Sequence, residues 1–234
     1  MKEEFVKTTN YIKLFEGIQF LKKLPTTAPK MGLGFGKFGL GKTFSLEKIT
    51  AEENAIFLRG VQTWTKSSVL TEICEEIGLD TSGTSSTKYR RVTEALFAEN
   101  RIIIIDEIDA VLRSSKHEVL EMFRDIHDET NCVMLFVGME EADAKLRKHK
   151  HFYSRIVKFV KFEPIKKNDI QAFCELCEIK IKPDLVDFFV DKYPNLRQVK
   201  VMLINLEEYC EVNGIEECDL KTFKESGAGN DIKR

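Results

Sequence analysis

The stretch "MGLGFGKFGLGKTFSLEKI", residues 31–49, decides the fold, because a short apolar run leads into a glycine-rich loop and then into a helical pattern. Within it, the segment GKFGLGKT at 36–43 satisfies the spacing G-x-x-x-x-G-K-[ST] of a phosphate-binding loop. Glycines allow successive backbone N–H groups to converge on phosphate oxygens in conformations where a Cβ would clash. The stretch therefore predicts a nucleotide site at the start of the following helix.

Two side chains of this loop have predicted chemical roles. We expect Lys42 to reach the β- and γ-phosphates of ATP and the Thr43 hydroxyl to bind Mg²⁺. Gly32 and Gly34, inside the apolar run, are interpreted as relief of packing in the first strand. The other predicted nucleotide contacts are Gly36, Lys37, Phe38, Gly39, Leu40, Gly41 and Phe44.

A second motif, "RIIIIDEID" at 101–109, ends a run of four isoleucines with acidic residues. A buried parallel strand explains the isoleucines, and ligands collect at the carboxyl ends of such strands. Asp106 is predicted to bind Mg²⁺, Glu107 to orient and deprotonate the attacking water, and Asp109 to cap the next helix. Glu107 favours a protein that hydrolyses ATP over a P-loop kinase of small molecules, which stays as an alternative from another class.

The alternation of apolar runs with helical periodicity predicts an α/β fold, with a parallel sheet flanked by helices and a small all-α C-terminal lid domain. Strands are predicted at 31–35, 55–58, 102–105, 133–137 and 156–162, and a polar loop at 78–87. Helices are predicted at 5–23, 167–178, 183–192 and 195–211, with no strand after Pro164. The predicted domains are an N-terminal helix and linker (1–30), the nucleotide-binding domain (31–163), the lid (164–226) and a flexible tail (227–234).

Composition narrows the class of protein further. The 234 residues are 43 % hydrophobic and 32 % charged, and no stretch approaches the roughly 18 consecutive apolar residues of a membrane span. The N-terminus lacks the apolar core of a signal peptide, so we expect a cytoplasmic protein without membrane contact. A net charge of −2 is not that of a strongly basic nucleic-acid binder. The six cysteines are predicted to be free buried thiols, because the Cys174–Cys177 spacing has no second CxxC to complete a zinc site.

Four segments in this order make the chain resemble AAA+ ATPases across residues 5–225: GKFGLGKT, IIIIDEID, SRI at 154–156 and NLRQVKVMLINLEE at 195–208. The resemblance implies that Arg155 is an arginine finger acting in the site of a neighbouring subunit, and that Arg197 is the second sensor of the lid. This chain reads Val137-Gly138-Met139-Glu140 where the family has a polar first sensor, so no residue is assigned to that role.

Softer similarity lies in TWTKSSVLTEICEEIGL (63–79), VMLFVGMEEADAKL (133–146) and FYSRIVKFVKFEPI (152–165), which resemble the transposition regulators of the Mu-type transposition protein B, TnsC and IstB group. This resemblance implies a homo-oligomeric filament or ring on duplex DNA, bound without sequence preference, that recruits a transposase and is released by ATP hydrolysis. A helicase loader or replication initiator is the second interpretation. The candidate DNA contacts, for which a solvated helix start is the alternative, are Lys66, Lys88, Arg90 and Arg91.

Overall fold

The computed structural model of the chain describes residues 1–2, 4–113 and 117–230, so the last four residues of the predicted tail lie outside the described part. The described residues form two compact units. The core unit contains Lys13–Lys37 and Lys42–Phe162. The terminal unit contains the described residues of Met1–Ile12, Phe38–Gly41 and Glu163–Arg234.

A five-stranded parallel sheet with the order β2-β3-β4-β1-β5 forms the centre of the core unit. Each predicted strand is present within two residues of its expected ends, and the predicted parallel α/β sheet is therefore confirmed. β1 lies between β4 and β5, with Leu33 opposite Phe136 and Phe159. The strands are β1 (Met31–Phe35), β2 (Ile56–Arg59), β3 (Ile103–Asp106), β4 (Met134–Gly138) and β5 (Ile156–Lys161).

Burial of the sheet on both faces explains why β3 and β4 are almost entirely apolar, since every residue of both strands is buried. An aromatic series extends this core, with ring centroids 6.2 Å apart from Trp64 to Phe123, 5.8 Å from Phe123 to Phe136 and 4.9 Å from Phe136 to Phe152. The interpretation of Gly32 as a packing residue agrees with the geometry, because a Cβ there would lie 2.9 Å from Leu21 Cδ1.

Helices cover the sheet, and local capping sets where several of them begin and end. Thr65 and Ser68 form a capping box at the start of α3, and Gly78 ends that helix in a left-handed conformation. The predicted loop at 78–87 is too long, because Thr84 caps α4 three residues earlier. The helices up to the end of the sheet are α1 (Thr9–Lys23), α2 (Lys42–Glu53), α3 (Lys66–Ile77), α4 (Ser85–Ala98), α5 (Ile108–Arg113), α6 (His117–Thr130), α7 (Ala142–Leu146) and α8 (Lys150–Tyr153).

The terminal unit is mainly helical and packs around an aromatic cluster in which Phe189 and Phe223 meet edge to face at 5.2 Å. The prediction of no strand after Pro164 is wrong, because β6 (Lys180–Ile181) pairs in parallel with β7 (Glu217–Cys218). Two-residue strands are too short to leave an alternating pattern in the sequence. The helices of this unit are α9 (Lys167–Cys174), α10 (Pro183–Lys192), α11 (Leu196–Asn213) and α12 (Leu220–Ser226).

All six cysteines are free and buried, as expected. Within the described ranges, no group of three or more His, Cys, Asp or Glu side chains could hold a metal ion by itself. None of the helices in those ranges combines the length and apolarity needed to cross a membrane.

Candidate nucleotide site

The start of α2 holds the loop lysine in a bent, partly buried position. Lys42 Nζ donates to the carbonyl oxygens of Gly36 at 2.7 Å and Lys37 at 2.6 Å. Burial lowers the pKa of Lys42, and the carboxylates of Asp106 and Asp109 oppose that shift. An ammonium held by two neutral carbonyls has no carboxylate bonded to it, so a phosphate would be a stronger partner than those it has here.

The end of β3 joins the loop threonine to the acidic motif. Thr43 Oγ1 donates to Asp106 Oδ2 at 2.8 Å, and the backbone N–H of Glu107 donates to Asp106 Oδ1 at 2.8 Å. Asp106 is 2 % exposed, so its carboxylate is buried and hydrogen-bonded at both oxygens. A hydroxyl beside a carboxylate offers the hard oxygen ligands that Mg²⁺ prefers, and these two residues therefore fit the ion.

Glu107 has an unusual backbone conformation for its residue type. Its φ is +55°, in the left-handed region that costs a non-glycine residue about 1–2 kcal/mol. The side chain is exposed beyond the end of the strand, while its neighbour Asp106 points inward. The turn thus separates the two acids, one buried beside Thr43 and the other free to meet water.

Arg59 is a residue that the sequence interpretation missed. It ends β2 and lies opposite Asp106 in the sheet register, and its Nε is 3.9 Å from Glu107 Oε1. Neighbouring Gly60 allows the close approach, because a Cβ there would lie 2.8 Å from the carbonyl oxygen of Glu107. The sequence signal for Arg59 is its place directly after a predicted strand. That signal is insufficient, because only the order of the strands in the sheet brings this strand end beside the acidic motif.

Asp109 does not cap a helix as expected. It lies in the first turn of α5, is 4 % exposed, and accepts a hydrogen bond from the backbone N–H of Met139 at the end of β4. Its other oxygen has no hydrogen bond and lies 3.6 Å from Lys145 Nζ. Met139, in the run Val137–Glu140 for which no first sensor was assigned, lies with Sδ 3.9 Å from Lys42 Nζ. Asp109 therefore fixes the backbone of Met139, whose thioether lies beside the loop lysine.

The tip of the loop, Phe38–Gly41, is held within the terminal unit. Leu196 N–H donates to the Gly39 carbonyl at 2.9 Å, and the side chain of Asn195 caps α11 by accepting from the backbone of Arg197. Gly39 has a φ of +73°, and a Cβ at this position would lie 2.1 Å from Asn195 Oδ1. Only glycine fits here, because both the backbone conformation and the contact exclude a side chain. Phe38 is 71 % exposed.

The two predicted arginines differ in what they contact. Arg155 forms a two-pronged ion pair with Asp128, with Nε to Oδ1 and Nη2 to Oδ2 both at 2.8 Å. Hydrogen bonds from Arg155 are the main cause that lowers the pKa of Asp128. Arg197 is exposed at the start of α11, and no partner for its guanidinium lies within residues 4–113 or 117–230.

The predicted DNA contacts divide into exposed and engaged side chains. Lys66 is exposed at the first position of α3, and Arg90 is exposed with Glu94 at 3.8 Å. Lys88 is 8 % exposed and donates to Thr71 Oγ1 at 2.7 Å, so its ammonium is not available at the surface. Arg91 donates to the carbonyls of Asp80 and Ser82, at 2.9 and 2.7 Å, and pairs with the Asp80 carboxylate. Arg91 therefore braces the loop before α4.

Comparisons with known proteins identify the family and the fold. A family model described as "AAA domain" matches residues 26–146, just over half of the chain. A "Potential ATP-binding protein" of Staphylococcus aureus is 36 % identical over 74 residues, which cover 32 % of this chain and only 26 % of that protein.

Solved structures share the fold at low identity. The Aeropyrum pernix ORC2 protein, solved as ADPNP-ADP complexes, has a TM-score of 0.74 and 16 % identity, over 100 % of this chain and 71 % of that one. The Aeropyrum pernix ORC1 protein in complex with DNA has a TM-score of 0.61 and 16 % identity, over 94 % of this chain and 64 % of that one. These similarities show a P-loop AAA+ fold.

Proposed function

Because the chain belongs to the AAA domain family, we propose that it binds ATP with Mg²⁺ and hydrolyses the nucleotide in a homo-oligomer assembled on duplex DNA. One observation carries the proposal: Thr43 is bonded to the buried Asp106, and Glu107 is exposed beside them. A hydroxyl, a buried carboxylate and a water-facing carboxylate are the groups that metal-assisted hydrolysis of a phosphoanhydride requires.

Each residue of the core-unit site has one task in this reaction. Lys42 leaves the carbonyls of Gly36 and Lys37 and neutralises charge on the β- and γ-phosphates. Thr43 and Asp106 hold Mg²⁺, which when bound neutralises the phosphate oxygens and orients them. Glu107 orients the attacking water and accepts its proton.

Completion of the site between subunits is part of the proposal. Arg155 is proposed to leave Asp128 and to contact the γ-phosphate in a neighbouring subunit, where such a finger raises the rate by about 10³–10⁵. Arg197 keeps its proposed role as the second sensor, which is consistent with its exposed guanidinium.

DNA contact is proposed through one exposed cation on each of α3 and α4. Lys66 and Arg90 are retained for this role, while Lys88 and Arg91 are set aside because other groups already bind them. The solved ORC1 protein, which is in complex with DNA, supports a nucleic-acid partner for this fold. Contacts from many subunits would add together, so a net charge of −2 per chain is compatible with binding.

The proposal also includes a client, the protein that this ATPase recruits on DNA. Similarity in the connecting segments favours regulation of transposition, with a transposase recruited and activated on the selected DNA. A helicase loader or replication initiator is the second candidate, favoured by the fold shared with the ORC2 and ORC1 proteins. Pull-down with a transposase and with a replicative helicase, each tested with ATP and duplex DNA, separates the two clients.

Assembly on DNA is tested with Glu107→Gln, which keeps the shape of the side chain but removes its ability to accept a proton. We expect the variant to bind ATP, to lose phosphate release and to accumulate on duplex DNA as complexes visible by electron microscopy. Glu211→Gln, an exposed acid of α11 that lies in neither proposed site, is the control and should behave as the unchanged protein. If only monomers were seen at micromolar protein concentration with ATP and DNA present, assembly would be refuted. The role of Glu107 in hydrolysis is tested separately, by whether the variant loses phosphate release.

A further inference from the structure

A cavity of about 220 Å³ lies in the core unit at the edge of the sheet where the strands begin. Lys30 directly precedes β1, Ile102 directly precedes β3 and Val133 directly precedes β4, and all three line the cavity. The phosphate-binding loop follows β1 and Asp106 ends β3, at the opposite edge. Ligands of open parallel sheets normally bind at the carboxyl ends of the strands, so the nucleotide does not explain this cavity.

Lys30 is the unusual residue of the cavity. It is only 6 % exposed, and within residues 4–113 and 117–230 its ammonium has no hydrogen bond and no ion pair. Its backbone is fixed, because its N–H donates to His127 Nε2 at 3.3 Å and its carbonyl accepts from Met134 N–H at 3.1 Å. The ammonium is therefore open to water at the cavity, where an incoming anion can reach it.

The other charges around the cavity leave an excess of positive charge. Lys22 is already bound to Glu53 at 2.6 Å, and the second oxygen of Glu53 accepts from Gln19. Arg101 uses only Nε, which donates to the Asn54 carbonyl at 2.9 Å, so its terminal N–H groups are unpaired within the described ranges. The remaining acid, Glu99, is exposed to water. Among the described residues, Lys30 and the tip of Arg101 are therefore the two unpaired cations of the cavity.

We propose that this cavity is a second anion site, which binds a free phosphate-sized oxyanion between Lys30 and Arg101. A water molecule takes about 30 Å³ in the liquid, so the volume holds a phosphate with a few waters, and it is smaller than the roughly 300 Å³ at which pockets for drug-sized ligands begin. The guanidinium suits two-pronged contact with an oxyanion, and the ammonium adds a point charge. Because Lys30 is 6 % exposed, the rigid backbone of a DNA duplex is too bulky to reach it.

The test measures thermal unfolding during titration with inorganic phosphate, against chloride at equal ionic strength. We expect a saturable rise in Tm, as for any ligand that binds the folded state. Lys30→Met and Arg101→Gln should each weaken the apparent affinity at least tenfold, and Lys23→Met, an exposed lysine that does not line the cavity, should leave it unchanged.

Binding at the phosphate loop is separated by repeating the titration with a saturating non-hydrolysable ATP analogue. The Lys30-dependent part of the response is the phosphate-induced rise in Tm of the unchanged protein minus that of Lys30→Met. This difference should be the same with and without the analogue. Equal phosphate responses in Lys30→Met and Lys23→Met would overturn the proposal, and so would loss of the Lys30-dependent part when the analogue is present. If Lys30→Met does not fold, the same comparison between Arg101→Gln and Lys23→Met decides.

Discussion

The ion pair between Arg155 and Asp128 should restrain the proposed arginine finger, and Asp128→Asn tests this. Both hydrogen bonds of the pair are 2.8 Å long, and Arg155 Nη1 also lies 3.1 Å from Ser154 Oγ. If Arg155 acts in a neighbouring subunit, it must first leave Asp128. The substitution keeps the shape of the side chain but removes the negative charge, so it lowers the free energy needed to release the guanidinium.

The size of the effect follows from the exposure of the pair. The side chains of Arg155 and Asp128 are 36 % and 38 % exposed, so water and salt screen their attraction. Exposed ion pairs contribute about 0.2–1 kcal/mol, and the two-pronged geometry places this pair near about 1 kcal/mol. With RT near 0.59 kcal/mol, that free energy corresponds to a factor of about 5.

The assay is phosphate release as a function of protein concentration, with ATP and duplex DNA in excess. We expect Asp128→Asn to lower the half-saturating protein concentration by up to about fivefold, with a smaller difference at high salt. Asp125→Asn is the matched control, because Asp125 lies on the same helix and pairs with Arg124 instead. An unchanged or higher half-saturating concentration for Asp128→Asn would refute the restraint.

Three further outcomes are expected. Gly39→Ala should weaken ATP binding at least tenfold in a fluorescent-nucleotide titration, because its φ is +73° and a Cβ would lie 2.1 Å from a side-chain oxygen, whereas Gly78→Ala, with φ +78° and no atom within 4 Å, should change stability alone. Phe136→Ala should lower the free energy of unfolding by about 3–5 kcal/mol in urea titration, and Phe97→Ala, 76 % exposed in the native protein, should change it little. Burial lowers the pKa of His127 in the folded state, so the unfolded chain binds more protons below about pH 6.5 and stability falls as the pH drops. His127→Gln should reduce that fall, of at most about 1.4 kcal/mol per pH unit, and an unaltered pH profile would contradict the assignment.

Local patterns were enough for most elements of the fold. The glycine-rich loop and the isoleucine run are each continuous in sequence, so strand, turn and helix follow from neighbouring residues. Where the predictions failed, the deciding contact is distant or the element is very short. Lys88 was predicted to be a surface cation, but it donates a hydrogen bond to Thr71 on another helix. Asp109 was predicted to cap a helix, but it accepts a hydrogen bond from Met139 at the end of β4.

Residue types and their spacing were thus enough to predict the family, the parallel sheet and the chemistry of the phosphate loop, because these depend on short continuous motifs. Only the tertiary structure brought Arg59 beside Glu107, joined Arg155 to Asp128 and placed Lys30 and Arg101 in one cavity. Each of these depends on strand order or on packing between segments far apart in the chain. Hydrophobic periodicity indicates which face of an element is buried, but it does not identify the side chains of other elements that pack against that face.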